Sequence, residues 1–585
     1  MGTGHSLDTP IRLAHFGISS VVSLVDDLLM ERVRKYYCEK HNYPYERISG
    51  RHDEGRPQRI TAYLNMVHNI VEENIAKVKD LPFFAENDKK KYFDLLPDTS
   101  ELKKKYLEFI NAGDSADSRE KEEKELNELI KPGSIDVNIM VKLDKINYAK
   151  DGTRLGDEAS DAKLALKGYA DSQLKSSIVF SAGINQTLFG YMSNFKDFYR
   201  DEFGEIKKKI ILKVSDFRSA LIQGKFLAKK GLEVHEFRVE SGLNCGGHAF
   251  PSNGLLLGSL LKEFKEKRYQ LQEQFEPIVK KYYESKDWVY KRLQNEKSLF
   301  TVQGGIGHAG EKERLETEYG VDKTGWATPF LLVEEATGID ATTRELCRKA
   351  KSEDLYLSPA SPLSIPFNNL RGTGSELWTI EQAEKGKPGS GCPKGFLVSN
   401  TEFSELPICL ASKEYQSQKI HDLNDGSIEP VAKENVLQKV LAKACICDHL
   451  GNGLLIQLGI ARESAAPQSI CPGPNLAWFN RFYSLKEMVD HIYGRSEPLV
   501  PPQRPHMFSK EIDMYMEHFE SIIKSMGRSP KELKVLNEFR SNFYDSLDYL
   551  EEVAIGKSYS NENLESLKEK VSEARSNLDS LVKNI

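Results

Sequence analysis

Leu299-Phe300-Thr301-Val302-Gln303-Gly304-Gly305-Ile306-Gly307, a helical spacer, and then Tyr319-Gly320-Val321-Asp322-Lys323-Thr324-Gly325-Trp326-Ala327-Thr328-Pro329-Phe330-Leu331 decide the fold. The order is strand, Gly-Gly turn, helix, strand, Gly turn. Glycine lets a strand end turn sharply and brings its N–H close to an anion. Two neighbouring strand ends of this kind are where a parallel barrel holds a phosphate, aided by a helix N-terminus. Gly-Gly after a strand also serves a plain tight turn, so the rest of the chain has to carry the reading.

Working back from this stretch, continuous apolar runs recur between helical ones. They cover residues 10–18, with Gly17 near the end, 135–142, 177–183, 209–215 and 235–241, the last leading into Gly242-Leu243-Asn244-Cys245-Gly246-Gly247-His248. Strands apolar throughout, alternating with helices, argue for a parallel sheet covered on both faces. Turns with chemical character follow the strands, as at the C-terminal face of a barrel. The expected fold class is α/β: a (β/α)8 TIM barrel with a helical insertion and a C-terminal α-helical extension. Residues 354–358 supply an eighth run. Residues 21–40 and 58–80 have helical period, with Val21, Val22, Leu24, Val25, Leu28 and Leu29 on one face. Residues 88–130 are charged and helical, and 119–125 read as a solvated face.

With 585 residues, 39% of them hydrophobic and 29% charged, the chain can bury a sizeable core. A net charge of -6 without a basic stripe argues against nucleic acid. No apolar run reaches the length of a membrane span. Met1-Gly2-Thr3-Gly4-His5 is not the start of a signal peptide, although Met1-Gly2 with Ser6 formally fits a myristoylation pattern. Eight cysteines in this length do not make a disulfide scaffold, and a reducing cytoplasm is expected.

Gly246-Gly247-His248 after a strand, then Gly304-Gly305-Ile306, then Gly325-Trp326-Ala327-Thr328-Pro329-Phe330-Leu331 together resemble the nitronate monooxygenase family of FMN-dependent barrels. That family is related to the flavin enoyl-acyl carrier protein reductases. Ala14-His15-Phe16-Gly17 stands where the family has Ala-Pro-Met, and Val137-Asn138-Ile139 where it has Val-Asn-Leu. The motifs follow in family order over residues 10–335. Asn244 and Cys245 replace Glu-Ala, His15 and Phe16 replace Pro-Met, and Pro329 replaces Arg, so the substrate pocket is expected to differ. In family order Gly304-Gly305 follows the seventh strand and Gly325 the eighth. A further strand must then lie within 20–134, with residues 45–52 as the candidate.

The resemblance implies FMN, whose phosphate would be held by Gly304, Gly305, Gly325 and Thr328. Gly246 and Gly247 would let the backbone approach the flavin, Asn138 would hydrogen-bond its edge, and Ala14 and Gly17 would belong to the same site. Lys213, at a strand end, would stabilise the reduced flavin as a cation, or else is merely solvated. His248 would be the catalytic acid or base, or else a histidine satisfied by backbone.

Cys392, Cys409, Cys445, Cys447 and Cys471 crowd into one segment, several beside Pro or Gly. They suit an iron–sulfur cluster or zinc, although no Cys-x-x-Cys pair is present, or else they are buried structural thiols. Residues 510–585 read as three helices that break near 527–530 and 556–561. The expected division is 1–375 for the barrel, with its insertion at about 20–134, 376–505 for a Cys-containing accessory region, and 506–585 for a helical element that docks a synthase partner or a second copy.

The expected function is an FMN-dependent oxidoreductase of nitronate monooxygenase-like type, acting on a small-molecule or acyl substrate. Two alternatives stay open. One is an enoyl-acyl carrier protein reductase-like component of a synthase, which would need a nicotinamide donor. The other is a non-catalytic barrel that serves as an interaction protein and purifies colourless.

Overall fold

The computed structural model describes residues 3–50, 54–112, 116–141, 144–149, 151–294, 296–426, 429–525 and 529–582. Seven strands pair in chain order, all parallel: β1 (Ser20–Ser23), β2 (Ile135–Ile139), β3 (Ser176–Phe180), β4 (Lys208–Val214), β5 (Val234–Glu240), β6 (Leu299–Gln303) and β7 (Lys323–Gly325). Helical crossovers between parallel neighbours wind the sheet in one direction and curl it as in a barrel. The result is a curled half-barrel whose edges are β1 and β7.

Six of the seven strands lie where apolar runs were expected; the N-terminal region differs. Residues 10–18 form no strand: Thr9–Leu13 is a helix with Pro10 in its first turn, followed by a 3-10 turn at Ala14–Phe16. Asp8 and Arg12 form an i,i+4 ion pair at 2.8 Å across that helix. Proline pre-sets the helical φ, the pair supports the turn, and Gly17 at φ 76° ends it. Strand β1 instead takes Val21 and Val22 from the expected helix, which begins only at Asp27.

The helical segment fills the gap between the sheet edges. Thr9 Oγ1 donates to Ala336 O at 2.6 Å, Gly338 N–H to His5 O at 2.8 Å, and Gly133 N–H to Ala14 O at 2.7 Å. It therefore ties the turn after β7 to the entry of β2. Residues 45–50 form no strand, and residues 51–53 lie outside the described residues. The same is true of Met1-Gly2, Lys142 and residues 526–528, on which parts of the myristoylation pattern, the 135–142 run and the 527–530 break fall. The expected eighth run is real, as β8 (Leu355–Ser358), but it pairs antiparallel with β9 (Phe367–Leu370) outside the main sheet.

The insertion lies between β1 and β2 and contributes the helices Asp27–His41, Gly55–Asp80, Asp88–Leu95, Glu101–Asn111 and Ala116–Leu129. The C-terminal helices Met507–Ser525 and Pro530–Ile555 lie against the Leu257–Glu284 helix, Leu564–Val582 packs on those two, and all three share one core with the sheet. Leu547, Leu550, Leu567 and Leu578 are fully buried in that core. Each such side chain is worth about 1.5–3 kcal/mol of burial. This apolar face of the extension is thus consumed within the chain.

Candidate functional site

The outward positions of the strands are apolar and covered, for example Ile210, Leu212 and Val214 on β4 and Phe237 and Val239 on β5. Their alternates face a cavity of ≈ 1610 Å³ and are strongly polar: Asp136 and Asn138 on β2, Lys209 and Lys213 on β4, Glu236, Arg238 and Glu240 on β5, Thr301 and Gln303 on β6. A barrel of this kind ordinarily fills its interior with branched apolar side chains. Here the inward layers are ion-paired and hydrogen-bonded. Arg238 meets Glu236 at 2.6 Å, and Thr301 Oγ1 donates to Glu236 at 2.5 Å. One layer higher, Lys213 meets Glu240 at 2.7 Å and Gln303 Nε2 donates to Glu240 at 2.7 Å. Register explains the second group, because Glu240 is the partner of Gln303 across β5 and β6.

This upper layer sits at the C-terminal strand ends, where barrel enzymes carry their chemistry. Asn138 joins it from β2 and is buried, yet its Oδ1 has no hydrogen-bond partner. The loop after β5 adds Asn244, whose Oδ1 is likewise buried and unpartnered, and Cys245. Burial pushes the Cys245 thiol up, so it is protonated at neutral pH. Ser241 Oγ donates to Glu511 at 2.6 Å, and Leu257 N–H donates to the other oxygen at 2.8 Å. Burial raises the Glu511 carboxyl, which lines the cavity, to about 7.

His248 lines the same cavity. The hairpin β8–β9 clamps its loop: Asn368 N–H donates to Gly247 O at 2.9 Å and Ala249 N–H to Pro366 O at 2.8 Å. The Nε2 of His248 is 2.7 Å from Ser361 Oγ, and its ring meets Phe367 edge-on at 5.1 Å. Burial lowers its pKa to about 4, so the imidazole is neutral near pH 7. Ser361 is fully buried and fixes the ring.

The glycine turns are present and more crowded than a phosphate cradle requires. Gly304 and Gly305 are consecutive left-handed residues at φ 106° and 76°. A Cβ at Gly304 would stand 2.7 Å from Cys245 Sγ, and one at Gly305 2.3 Å from Asn244 Nδ2. One at Gly246 would stand 2.3 Å from Cys471 O. Packing against protein therefore suffices to demand glycine at these positions. From the C-terminal side, Arg504 Nη2 donates to Gly305 O at 2.5 Å and Asn475 Nδ2 to Ile306 O at 2.9 Å. Arg504 also pairs with Glu311 at 2.7 Å, and Glu311 accepts Gly307 N–H at 2.7 Å. Thr328 Oγ1 accepts Gly473 N–H at 3.0 Å. Among the described residues none accepts the N–H groups of Gly304, Gly305 and Ile306, and all three residues line the cavity.

Asn138, Lys213, Gly246, Gly247, His248, Gly304, Gly305, Gly325 and Thr328 thus surround one cavity. Ala14 and Gly17 do not reach it. Ala14 is fully buried in the N-terminal turn, and the open side of Gly17 faces the Tyr92 ring at 3.2 Å. The cysteines divide as well. Cys447 and Cys471 line the cavity, Cys471 against Gly246, whereas Cys392, Cys409 and Cys445 do not. Among the described residues no group of three or more His, Cys, Asp or Glu is placed to hold a metal ion. Glu240, Gln303 and Glu511 were not singled out from sequence. The strand-end position of the first two was the available signal, and Glu511 had none.

Compared with known proteins, the chain matches no family model and no curated protein. No helix among the described residues is long and apolar enough to cross a membrane.

Proposed function

We propose that the protein is an FMN-dependent oxidoreductase working at the C-terminal mouth of a (β/α)8-type barrel, on a small or acyl substrate. The observation that carries this reading is the unpartnered, buried Oδ1 of Asn138 in a ring of polar strand ends around a ≈ 1610 Å³ cavity. A buried acceptor without a donor costs about 1–3 kcal/mol, and a bound N–H group would remove that cost. The unclaimed N–H groups of Gly304, Gly305 and Ile306 suit a phosphate, and Thr328 keeps a hydroxyl proton to donate. FMN, when bound, supplies hydride and one-electron chemistry.

The chain's own residues orient, exclude water and move protons. Asn138 accepts from the cofactor, and Lys213, held by Glu240, places a cation among the strand ends. His248 is neutral and can accept a proton from an activated C–H, with Ser361 holding its ring.

The test is reconstitution with FMN followed by absorption spectroscopy. The expected result is a flavin spectrum from the purified complex and weaker binding by about 10- to 100-fold in Asn138→Leu, from the loss of one buried hydrogen bond. A protein that stays colourless at saturating FMN sinks the proposal. A nicotinamide requirement for flavin reduction selects the enoyl reductase-like form over an oxygen-using monooxygenase.

A further inference from the structure

The loop that joins β8 to β9 carries the hydroxyl that meets His248, and Lys443 pins that loop from behind. Lys443 follows the Pro430–Leu441 helix and is buried. Its Nζ donates to Pro359 O at 2.9 Å and to Ser361 O at 3.0 Å. The next residue repeats the clamp through the backbone, with Ala444 N–H donating to Ala360 O at 2.9 Å. The lysine's own backbone is fixed in turn. Its N–H donates to Val440 O at 3.2 Å. The fully buried Gln416 donates through Nε2 to Val440 O at 3.1 Å and to Lys443 O at 3.2 Å. Among the described residues no carboxylate pairs with Lys443. A buried amino group that meets only carbonyls is costly, and an apolar chain of the same length would fill the space at less cost. What the amino group adds is the position of the loop.

Inside the loop Ser361 has little freedom. Leu363 N–H donates to Ser361 Oγ at 3.2 Å, and Ser364 N–H donates to Ser361 O at 3.1 Å. Ser361 Oγ then stands 2.7 Å from His248 Nε2. A partner fixed at one ring nitrogen decides which nitrogen carries the proton and which way the ring faces. We propose that Lys443 is a positioning residue for His248. By holding the carbonyls of Pro359 and Ser361 it sets the Ser361 hydroxyl against Nε2, and so keeps the imidazole in one tautomer and one orientation on the cavity wall. The consequence for turnover rests on the reading of His248 as the proton-transfer group, whereas the clamp itself does not. Without the clamp the hydroxyl drifts out of reach, and the ring exchanges tautomers and meets water.

The experiment follows the ring signals of His248 by NMR down a pH series, in the full-length protein carrying isotope-labelled histidine and no flavin. The signals are identified by their loss in His248→Gln. The wild-type ring should show one tautomer and stay neutral until pH approaches about 4. Lys443→Met keeps the length of the chain and loses the donor. It should average the tautomers and move the titration of His248 up from about 4 toward 6.5. Lys443→Gln, one atom too short to reach both carbonyls, should do the same, and so should Ser361→Ala. Because Lys443 acts through Ser361, adding Lys443→Met to Ser361→Ala should change His248 no further, which a general loosening of the fold would not reproduce. Cooperative urea unfolding checks that each variant is folded. No flavin is needed, so a failure here and a failure of the flavin reading are told apart. Wild-type His248 signals in a folded Lys443→Met or Lys443→Gln protein overturn the proposal. Wild-type signals in Ser361→Ala overturn it as well, as do effects of Lys443→Met and Ser361→Ala that add in the double variant.

Discussion

Arg504→Met should destabilise the protein by about 4 kcal/mol and loosen the Gly304-Gly305 turn. Arg504 and Glu311 are both buried, and their contact is 2.7 Å. Burial alone would push the Glu311 carboxyl up, but the Arg504 guanidinium, with His308 and His506, holds it down to about 2 from 4.5. At ~1.36 kcal/mol per pH unit, that difference is worth about 3 kcal/mol. Because the folded-state value is the lower one, this stabilisation is fully present above about pH 4.5 and is lost as pH falls from there toward 2. At pH 7 it is all in place.

Removing Arg504 also strips donors from Gly305 O and from Asn475 Oδ1, which accepts Arg504 Nε at 2.9 Å. Breaking a buried pair from one side costs about 3–5 kcal/mol, whereas removing both charges is often near neutral. Arg504→Met/Glu311→Gln should therefore recover at least half of the loss, because a glutamine can still accept Gly307 N–H. The assay is urea unfolding at pH 7 followed by tryptophan fluorescence, with Trp326 a local reporter 6.1 Å from His491, which in turn contacts Gly307 O. A loss under about 1 kcal/mol in the single variant, or a double variant no more stable than the single, would refute the reasoning.

Gly305→Ala should cost about 2–4 kcal/mol, from a left-handed backbone and a Cβ 2.3 Å from Asn244 Nδ2, measured by the same unfolding assay. His248→Ala should retain FMN and lose 10²–10⁴-fold in substrate-dependent flavin turnover, by stopped flow per bound flavin; normal turnover in the loaded variant removes the catalytic role. Burial lowers His235, His248, His449 and His491 to about 4, so below pH 6.5 the unfolded chain takes up protons that the folded one refuses. Stability should be complete above about pH 6.5 and fall by several kcal/mol by pH 5, and a urea midpoint unchanged between pH 7 and 5 contradicts this.

The strands were legible where the local pattern was complete. Residues 208–214, 234–240 and 299–303 carry apolar residues at alternate positions, are bounded by helices and are followed by polar or Gly-rich turns, and the structure places each in the parallel sheet. Residues 10–18 misled because a run of that length reads equally as strand or buried helix. Pro10 in the first turn, the Asp8–Arg12 pair and the closing Gly17 decided for helix. Strand β1 was hidden for the converse reason: three of its four residues sit inside a longer stretch with helical period, and pairing with β2 overrides that preference. Of the site, the glycine turns, Asn138, Lys213 and His248 could be picked out because each follows or ends a strand. Their partners could not.

The sequence by itself determined the local matters: where strands end, which turns need glycine, and which side chains stand at the strand ends. Only the tertiary structure decided what those groups meet. The residues that crowd Gly305 and Gly246 come from 244, 471 and 504, and the acid behind Ser241 comes from Glu511. The physical reason is one of range. Backbone preference is set by residues within a turn or two, whereas these contacts join elements up to a few hundred positions apart and exist only once the helices have packed on the sheet.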